Sequence, residues 1–422
     1  MAGHLSRRRF LAALGAGLLA PGAARAALAN PARGGRPPFR VRTITAGVRL
    51  ANPADRPAFR SALDVLARAR SAFAERGYEI QTVRIATPPL AEYLPDWRGA
   101  AGLAALRELD GRAVEAGVSL SIGPVLTGDD APPGFAEWAA DLVSQTKDVS
   151  FSAFVASPAL GVHERTVRAA AEAIAAIART APGGEGNFRF AATAFCPPGT
   201  PFFPAAWHGG EPAFSIGLES PPLLQEAFEG SRDLADARRA LRTRMNEALR
   251  PVQALAEDVA AATRWRYLGI DVSPAPGLDA SIGAAIETLT GVPFGEPSTL
   301  AGCAAITSVL ADLDVRTCGY SGLMLPVLED PVLARRADEG RYGIPELLLY
   351  SNVCGTGLDV VPLAGDVPAE ALAATVRDVA ALAARARKPL SARLIPVPGR
   401  AVGERATFDN PYLTDAAVMR TD

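Results

Sequence analysis

The stretch F-R-V-R-T-I-T-A-G-V-R-L at residues 39–50 indicates a β-strand, because apolar and β-branched residues stand among polar ones. A helical pattern follows it, which Asp55 can cap and Gly77 can end. Four apolar residues share one face of this helix: Phe59, Leu63, Leu66 and Phe73. Residues 78–86 then indicate a second strand, so the chain opens with a strand, a helix and a strand.

The alternation of strands and helices continues along the chain. Ten segments are predicted to be strands: residues 39–50, 78–86, 118–125, 149–156, 188–195, 214–219, 265–272, 315–320, 358–362 and 391–396. Helices are predicted between them at residues 55–77, 103–116, 135–144, 164–181, 223–263, 281–290, 298–313, 330–339 and 370–387. This order predicts an α/β protein with a largely parallel sheet or barrel. Because no internal linker or low-complexity tract interrupts it, residues 38–422 are expected to form a single domain.

The composition excludes several classes of protein. Hydrophobic residues make up 49% and charged residues 21% of the 422 residues, which is too apolar for disorder and too charged for a bundle of membrane spans. The 43 basic and 45 acidic residues give a net charge of -2. That charge gives no reason to expect nucleic acid or an anionic membrane as a partner.

Residues 1–26 have the three parts of a secretory signal peptide. Residues 6–11 are S-R-R-R-F-L, residues 11–20 are mainly apolar, and Ala24-Arg25-Ala26 offers a cleavage site. Paired arginines before Phe-Leu indicate the twin-arginine route, so we expect a periplasmic or secreted protein whose partner is that export machinery. The alternatives are a basic helix start or a membrane anchor, although a stable membrane span needs ~20 apolar residues. Residues 27–37, rich in Ala, Pro and Gly, are interpreted as a linker.

Four cysteines occur, at positions 196, 303, 318 and 354. An oxidising compartment would allow two disulfides, and the sequence leaves all three pairings open. No C-x-x-C motif is present, which disfavours a zinc ribbon or a thioredoxin-like site. Cys303 stands in Ala-rich helical sequence and is expected to be a core residue.

The first candidate loop begins C-P-P-G-T-P-F-F-P-A-A-W-H-G-G at Cys196 and follows a predicted strand. Its prolines and glycines predict a rigid loop, and sites of α/β proteins lie at the C-terminal ends of strands. Cys196 is therefore a candidate nucleophile and His208 its base, with Gly199 and Thr200 as candidate substrate-binding residues. The alternative is a buried structural cysteine and a histidine that bonds loop carbonyls.

The second candidate loop is G-I-D-V-S-P at residues 269–274, where Asp271 ends an apolar strand. Asp271 is a candidate general base or metal ligand; the alternative is a cap for the following loop. Glu219, at the end of another predicted strand, is a candidate ligand for substrate or metal. His208, Glu219 and Asp271 together would offer mixed ligands to a divalent or transition metal ion, including zinc.

Two further loops combine glycine with cysteine. T-C-G-Y-S-G-L at residues 317–323 contributes the candidate catalytic Cys318 and the candidate substrate-binding Ser321 and Gly322. C-G-T-G-L-D at residues 354–359 contributes a second set, whose backbone amides can hold an anion. The candidates in that set are Cys354, Gly355, Thr356, Gly357 and Asp359. The alternative for both loops is an ordinary turn between strand and helix.

Six motifs of the chain resemble those of the domain-of-unknown-function 711 family of bacteria and archaea. They are R-T-I-T-A-G-V at residues 42–48, Q-T-V-R-I-A-T at 81–87, C-P-P-G-T-P-F-F-P at 196–204, I-G-L-E at 216–219, G-Y-S-G-L-M-L-P-V-L-E-D at 319–330 and V-C-G-T-G-L-D at 353–359. The resemblance covers nearly all of residues 38–400. It implies a ten-stranded α/β barrel of two five-stranded halves, similar to pyruvate formate-lyase and other glycyl radical enzymes.

The resemblance transfers no catalytic residue, and two features depart from the family. Ala364 stands where proline is expected before Gly365, and members of the family are mostly cytosolic, whereas this chain is predicted to be exported. Glycyl radical chemistry is not expected, because fold does not imply function. The faintly similar segment around Gly319 also lies about 100 residues before the C-terminus, whereas such enzymes carry the radical glycine close to it.

Three functions follow from these observations. The first is an exported enzyme, a hydrolase or lyase that acts on a small polar substrate through a thiol or metal site in the barrel. The second is a periplasmic small-molecule binding protein built on a degenerate enzyme fold. The third is a redox protein whose cysteines form a labile disulfide.

Overall fold

The computed structural model describes residues 37–421, which build one ten-stranded sheet. The predicted signal peptide and residues 27–36 of the predicted linker lie outside the described residues. The strands are β1 Arg40–Gly47, β2 Ile80–Ala86, β3 Ser119–Leu126, β4 Val149–Ser157, β5 Gly161–Val162, β6 Phe190–Ala194, β7 Ala213–Glu219, β8 Arg266–Pro274, β9 Gly357–Ala364 and β10 Leu390–Val397. A separate small ladder pairs β11 Arg405–Ala406 with β12 Ala416–Ala417.

The sheet is mixed but mostly parallel. Its strand order is β8-β7-β1-β2-β3-β4-β6-β10-β9, with the short β5 added to β4. The five strands β1, β2, β3, β4 and β6 are parallel to their neighbours in this group. The parallel pairs β7–β8 and β9–β10 meet this group through the antiparallel contacts of β7 with β1 and β10 with β6. The predicted α/β class with a largely parallel sheet is therefore confirmed.

Helices lie between the strands and cover the apolar sides of the sheet. In the described chain they are α1 Arg56–Glu75, α2 Ala100–Glu115, α3 Phe135–Gln145, α4 Glu164–Ala178, α5 Pro221–Phe228, α6 Leu234–Thr263, α7 Ile282–Thr290, α8 Thr299–Leu310, α9 Pro331–Asp338, α10 Ile344–Val353 and α11 Ala369–Ala386. Helix α1 begins where predicted, because Asp55 accepts a hydrogen bond from the Ala58 amide at 3.1 Å. Gly77 follows its end with φ +82.

Two sequence predictions about these elements are wrong, and one helix was missed. Residues 315–320 do not form a strand, because Gly319 and Ser321 have positive φ and only Thr317 makes an isolated bridge to β8. The helix predicted at 223–263 is two helices, since Gly230 at φ +77 ends α5 and Asp233 caps α6. Helix α10 was not predicted. The tenth strand of the sheet is the two-residue β5.

Most strands of the sheet have one apolar and one polar face. In β2 the buried Val83 and Ile85 alternate with Thr82 and Arg84, and β4 and β10 repeat this pattern with serines or arginine at alternate positions. The apolar side chains belong to the main hydrophobic core with the helices. The polar side chains are therefore left to find partners on the other side of the sheet.

The segment at residues 317–326 contacts both edge strands of the sheet. Thr317 bridges Ile270 of β8, and Pro326 bridges Asp359 of β9. Gly322 of this segment lies against Gly355, and a Cβ atom on either glycine would overlap the backbone of the other. Two glycines are needed here because no side chain fits between the two backbones. Within residues 37–421, no helix is long and apolar enough to cross a bilayer.

Substitution of Gly355 by alanine is expected to lower the free energy of unfolding by about 1–3 kcal/mol, because the added methyl group overlaps the Gly322 backbone. The matched control is Gly111→Ala in α2, where no atom lies within 4 Å of the new Cβ and the change should stabilise by about 0.5–1 kcal/mol. Urea unfolding of the two variants measures both effects. Equal stability of Gly355→Ala and the wild type would show that segment 317–326 does not seat against Gly355.

Candidate functional site

Seven strands line one cavity of about 130 Å³, six of them with polar side chains and β6 with Ala191. Among the described residues its lining includes four arginines, three carboxylates and several hydroxyls. The charged residues are Arg42, Arg84, Arg189, Arg393, Asp148, Glu329 and Asp359. This volume suits a molecule smaller than a typical drug-sized ligand.

The loop that follows β6 fills the space beside the cavity. Thr45 of β1 donates a hydrogen bond to the Pro201 carbonyl at 3.0 Å, and Ser121 of β3 donates to the Ala206 carbonyl at 2.6 Å. Because polar side chains of two strands hold the loop, its tip at residues 202–205 lines the cavity. The rigid loop predicted from its prolines is thus an internal part of the sheet's polar side, with Phe202 8% exposed.

Glu329 connects two distant strands across the cavity. Its Oε2 atom accepts a hydrogen bond from Arg42 of β1 at 2.8 Å, and its Oε1 atom accepts one from Arg393 of β10 at 2.6 Å. Arg393 also donates to Asp359 at 2.6 Å. Burial alone would lower the pKa of Arg393, but Asp359 and Glu329 outweigh it and raise that pKa. These three groups are charge-compensated by one another and are fixed in place.

Glu219 extends this network away from the cavity. Its carboxylate accepts hydrogen bonds from Arg40 at 2.5 Å, Arg42 at 2.9 Å and Gln81 at 2.8 Å. Glu219 is 2% exposed, so these donors satisfy a fully buried charge. Its position in the structure makes Glu219 a holder of Arg42, one step removed from the cavity.

Arg84 differs from Arg42 and Arg393 because no carboxylate of the described residues forms an ion pair with it. It differs from Arg189, which also lacks an ion pair in that part of the chain, because Arg189 donates to the Thr146 carbonyl through a terminal nitrogen. The Nε atom of Arg84 donates to Thr82 at 3.1 Å, and its guanidinium carbon lies 4.9 Å from the centre of the Phe203 ring. The two terminal nitrogens have no hydrogen-bond partner within the described chain. Burial and the nearby positive charge of Arg42 lower the pKa of Arg84 to about 10. A guanidinium whose terminal nitrogens have no partner can bind an anion that enters the cavity.

A second group without a hydrogen-bond partner in the described chain is the hydroxyl of Thr356, a cavity-lining residue that directly precedes β9. Thr356 is 2% exposed, and its Oγ1 atom has no hydrogen-bond partner among the described residues. Its carbonyl is bonded, since Ser391 donates to it at 3.0 Å. Tyr320 donates to the Ser391 hydroxyl at 3.0 Å, so the cavity wall carries a short chain of hydroxyls.

Two aromatic rings from separate parts of the chain line the mouth of the cavity. Phe188 and Tyr412 stack with ring centres 6.2 Å apart and planes 5° apart. The Arg393 guanidinium lies 4.7 Å from the Phe188 ring centre, and that of Arg42 lies 5.6 Å from the Tyr412 ring centre. Tyr412 is 45% exposed, which places this pair between the cavity and solvent.

The predicted thiol–imidazole pair is not formed. The Cys196 thiol donates to the Tyr320 hydroxyl at 3.4 Å, and burial raises the pKa of Cys196 to about 12. The His208 ring lies against Gly47, and neither of its nitrogens makes a hydrogen bond of good geometry within the described chain. Burial lowers the pKa of His208. Cys196 is therefore a protonated thiol without a base, because the loop is anchored so that the two side chains contact different strands.

The predicted metal ligands are not brought together. His208 lies against Gly47 at the end of β1, whereas Glu219 bonds Arg40 at its start. Arg40 and Gly47 are seven residue steps apart along β1, which corresponds to roughly 20 Å. Across residues 37–421, no group of three or more His, Cys, Asp or Glu side chains is placed to hold a metal ion.

Asp271 holds the distant segment at residues 317–326 and the turn that begins at Ser273. Its carboxylate accepts hydrogen bonds from the Tyr320 amide at 2.7 Å, the Ser321 amide at 2.9 Å and the Ser273 hydroxyl at 2.6 Å. Burial raises the pKa of Asp271 to about 6. Because its oxygens are occupied by the protein, the geometry agrees with the capping alternative and not with a general base.

The predicted glycine-rich anion loops use their amides within the protein. The Gly322 amide donates to Ser273 at 3.0 Å, and the Gly355 amide donates to the Leu323 carbonyl at 3.0 Å. A Cβ on Gly357 would overlap the Ser391 backbone, so this glycine permits close strand contact. These three glycines serve packing. Of the candidates in the two loops at residues 317–323 and 354–359, Thr356 and Asp359 line the cavity.

The remaining candidates lie elsewhere. Gly199 has φ +84 and lies against Leu268, and Thr200 donates to the Pro197 carbonyl at 2.8 Å. Ser321 donates to the Cys318 carbonyl at 2.7 Å, and Cys318 lies in a shallow surface depression, separate from the cavity. Cys354 is buried beside another cysteine.

Sequence reasoning missed the arginines that dominate the cavity. Arg42, Arg84 and Arg393 each stand between apolar or β-branched neighbours within a strand. A charged residue in a strand that is otherwise buried is rarely accommodated unless it is paired or functional. That pattern was available in the sequence, whereas the partners of each arginine were not.

Comparison with known proteins places the chain among homologous sequences. The model of a family described as "Uncharacterised ACR (DUF711)" matches residues 36–409, which include every strand that lines the cavity. A protein named "UPF0210 protein" from Pyrobaculum islandicum is 33% identical over 348 residues, 78% of this chain and 76% of that protein. Its namesake from Pyrobaculum arsenaticum is 32% identical over 399 residues, 86% of each chain. Another, from Desulforudis audaxviator, is 30% identical over 353 residues, 79% of this chain and 78% of that protein.

Cys196 is expected to resist alkylation in the folded protein. At pH 8 its thiol stays protonated, since the pKa is about 12, and its side chain is buried. Treatment with iodoacetamide followed by peptide mass mapping should leave Cys196 unmodified, while the same protein in urea should be labelled. Rapid labelling of Cys196 in the native state would contradict this expectation and would support Cys196 as a nucleophile.

Proposed function

Because the chain belongs to the DUF711 family, whose description names no reaction, we propose from its own cavity that it binds a small anionic molecule there. The ligand carries a carboxylate or a phosphate group. Both groups present two oxygens on one atom and share a negative charge between them. The observation that carries this proposal is the unpaired guanidinium of Arg84 in the cavity.

The two free terminal nitrogens of Arg84 suit a planar pair of oxygens. A guanidinium binds carboxylate or phosphate through two parallel N–H···O hydrogen bonds. The Nε atom is already engaged by Thr82, which orients the group and leaves its terminal edge for a ligand. An incoming anion would compensate a charge that burial now penalises.

The hydroxyl groups of the cavity favour a ligand with further polar atoms. Thr356 offers a buried hydroxyl without a partner, and Ser391 and Tyr320 lie beside it. A ligand hydroxyl or a second carboxylate oxygen would satisfy Thr356. A hydroxy acid or a small phosphorylated compound has both features.

The proposal includes a closed barrel around the ligand. The segment at residues 317–326 bridges both edge strands, and Glu329 joins Arg42 of β1 to Arg393 of β10. Both observations support a sheet that curls until this segment fills the gap between β8 and β9. The parallel group of five strands, and the two parallel pairs that this segment would join, also suit the two-halved barrel that the family resemblance implies.

A second candidate function, catalysis on the bound anion, is favoured by Asp148. This carboxylate lines the same cavity, and burial raises its pKa although Ser119 and the charge of Arg84 act to lower it. A carboxyl group with a raised pKa beside a bound anion can transfer protons as a general acid or base. Hydrolase or lyase chemistry would then depend on Asp148 and not on Cys196 or a metal.

Asp148→Asn separates the two functions, because asparagine keeps the size and polarity of Asp148 but cannot transfer a proton. For a ligand that the wild type converts, we expect binding of that ligand within a few-fold of the wild type and a fall in kcat of about 10²–10⁴. Isothermal titration and a product assay measure the two quantities. Unchanged kcat would remove Asp148 from the reaction.

Export by the twin-arginine route remains part of the proposal for residues 1–26, which lie outside the described chain. A mature protein in the periplasm would meet small metabolites that enter from outside the cell. Its substrate would then differ from that of a cytosolic relative.

Arg84→Gln is expected to abolish ligand binding and to stabilise the ligand-free protein slightly, because it removes a partly buried charge without an ion pair. The probes are millimolar malonate and inorganic phosphate. At a hundredfold excess over its Kd, we expect at least one probe to stabilise the wild type by about 2.7 kcal/mol and therefore to raise its Tm. Arg84→Gln should show no rise in Tm with that probe. Without the probe, its Tm should be higher than that of the wild type.

The matched control is Arg68→Gln, which removes the same charge from an exposed position on α1. It should respond to the probes as the wild type does. An equal Tm rise in wild type, Arg84→Gln and Arg68→Gln would show that the anion binds elsewhere, and no rise with either probe in the wild type would count against the proposal.

A further inference from the structure

Two of the four cysteines lie next to each other, away from the cavity's charged groups. Cys303 is within α8, and Cys354 directly follows α10. Their thiols are neighbours in the main hydrophobic core, and both residues are buried, at 0% and 2% exposure. Both thiols are free. Two neighbouring thiols need only a small movement for their sulfur atoms to be joined.

A lysine stands beside this pair. Lys388 donates hydrogen bonds to the Asn352 carbonyl at 2.8 Å and to the Cys354 carbonyl at 2.5 Å. It is one of two lysines in a chain whose other basic residues are arginines. Burial raises the pKa of the Cys354 thiol well above its usual value, and the neighbouring Cys303 raises it further. The positive charge of Lys388 opposes this rise.

The other two cysteines are in a different environment. Burial raises the pKa of Cys196 and of Cys318, as it does for Cys354, and the nearby carboxylate of Asp271 raises both further. Cys196 bonds a tyrosine hydroxyl, and neither cysteine has a second thiol beside it within the described chain. Only the pair of Cys303 and Cys354 therefore combines two adjacent sulfurs with a nearby cation.

We propose that Cys303 and Cys354 are a thiol–disulfide site, oxidised by a small peroxide. When the end of α10 opens locally, the Cys354 thiol loses its proton and its thiolate attacks one oxygen of hydrogen peroxide. The O–O bond breaks, and a sulfenic acid and, with that proton, one water form. The Cys303 sulfur then attacks the Cys354 sulfur, the S–O bond breaks, and a second water leaves. Two thiols and one peroxide thus give one disulfide and two waters. A small dithiol reverses the reaction.

The position of the pair connects its redox state to the cavity. Cys354 is followed by Gly355, which contacts Gly322, and by Thr356, whose hydroxyl faces the cavity. A disulfide would tie this turn to α8 and limit its movement. Because both sulfurs are buried, the oxidant must be small or must act when the end of α10 opens locally.

The test uses the full chain, treated with hydrogen peroxide in the native state and then denatured and digested. We expect two of the four free thiols to disappear and a peptide pair joined through Cys303 and Cys354, lighter than its two parts by two hydrogen atoms. Dithiothreitol should restore both thiols. Cys196→Ser should still form the joined peptide, whereas Cys303→Ser and Cys354→Ser should not.

Three results would overturn the proposal. They are four thiols remaining after peroxide, a disulfide that joins a different pair, and oxidation of Cys354 beyond sulfenic acid with Cys303 intact. The wild-type measurement is decisive by itself, so poor folding of a serine variant does not remove the test. It is also independent of ligand binding, because it measures sulfur chemistry alone.

Discussion

Glu329 is the group on which the polar side of the sheet depends. The strands present arginines and hydroxyls opposite their apolar faces, and buried guanidinium groups are costly without a compensating charge. Glu329 supplies that charge to Arg42 and Arg393, which belong to strands far apart in the sheet. Removing one partner of such a network would leave a buried charge without compensation. The segment at residues 317–330, which contacts β8 and β9 and carries Glu329, is held in place by the same bonds.

The network also explains why one arginine is available. Arg42 and Arg393 are saturated by carboxylates, and Arg189 donates to backbone carbonyls and a threonine. Arg84 has only the Thr82 hydroxyl and the face of Phe203. The protein thus holds three guanidinium groups as structure and leaves the fourth to a ligand. Ligand binding in this account completes a charge balance that the fold itself leaves incomplete.

Local sequence patterns predicted the elements better than the site. The strand at residues 39–50 and the cap at Asp55 depend on neighbours in sequence, so periodicity and capping rules predicted them. The bond between Arg42 and Glu329 joins residues 287 positions apart, and no local pattern contains it. Cys196 and His208 are close in sequence and were expected to act together. The anchoring of their loop by Thr45 and other strand hydroxyls, which separates them, is again a long-range feature.

The central claim is that Arg84 binds an anion inside the cavity. The most direct measurement is a crystal structure of the wild-type protein grown in saturating malonate. The account predicts density for malonate in the cavity, with carboxylate oxygens at hydrogen-bond distance from both terminal nitrogens of Arg84. A cavity that contains only ordered water around Arg84 under those conditions would contradict it.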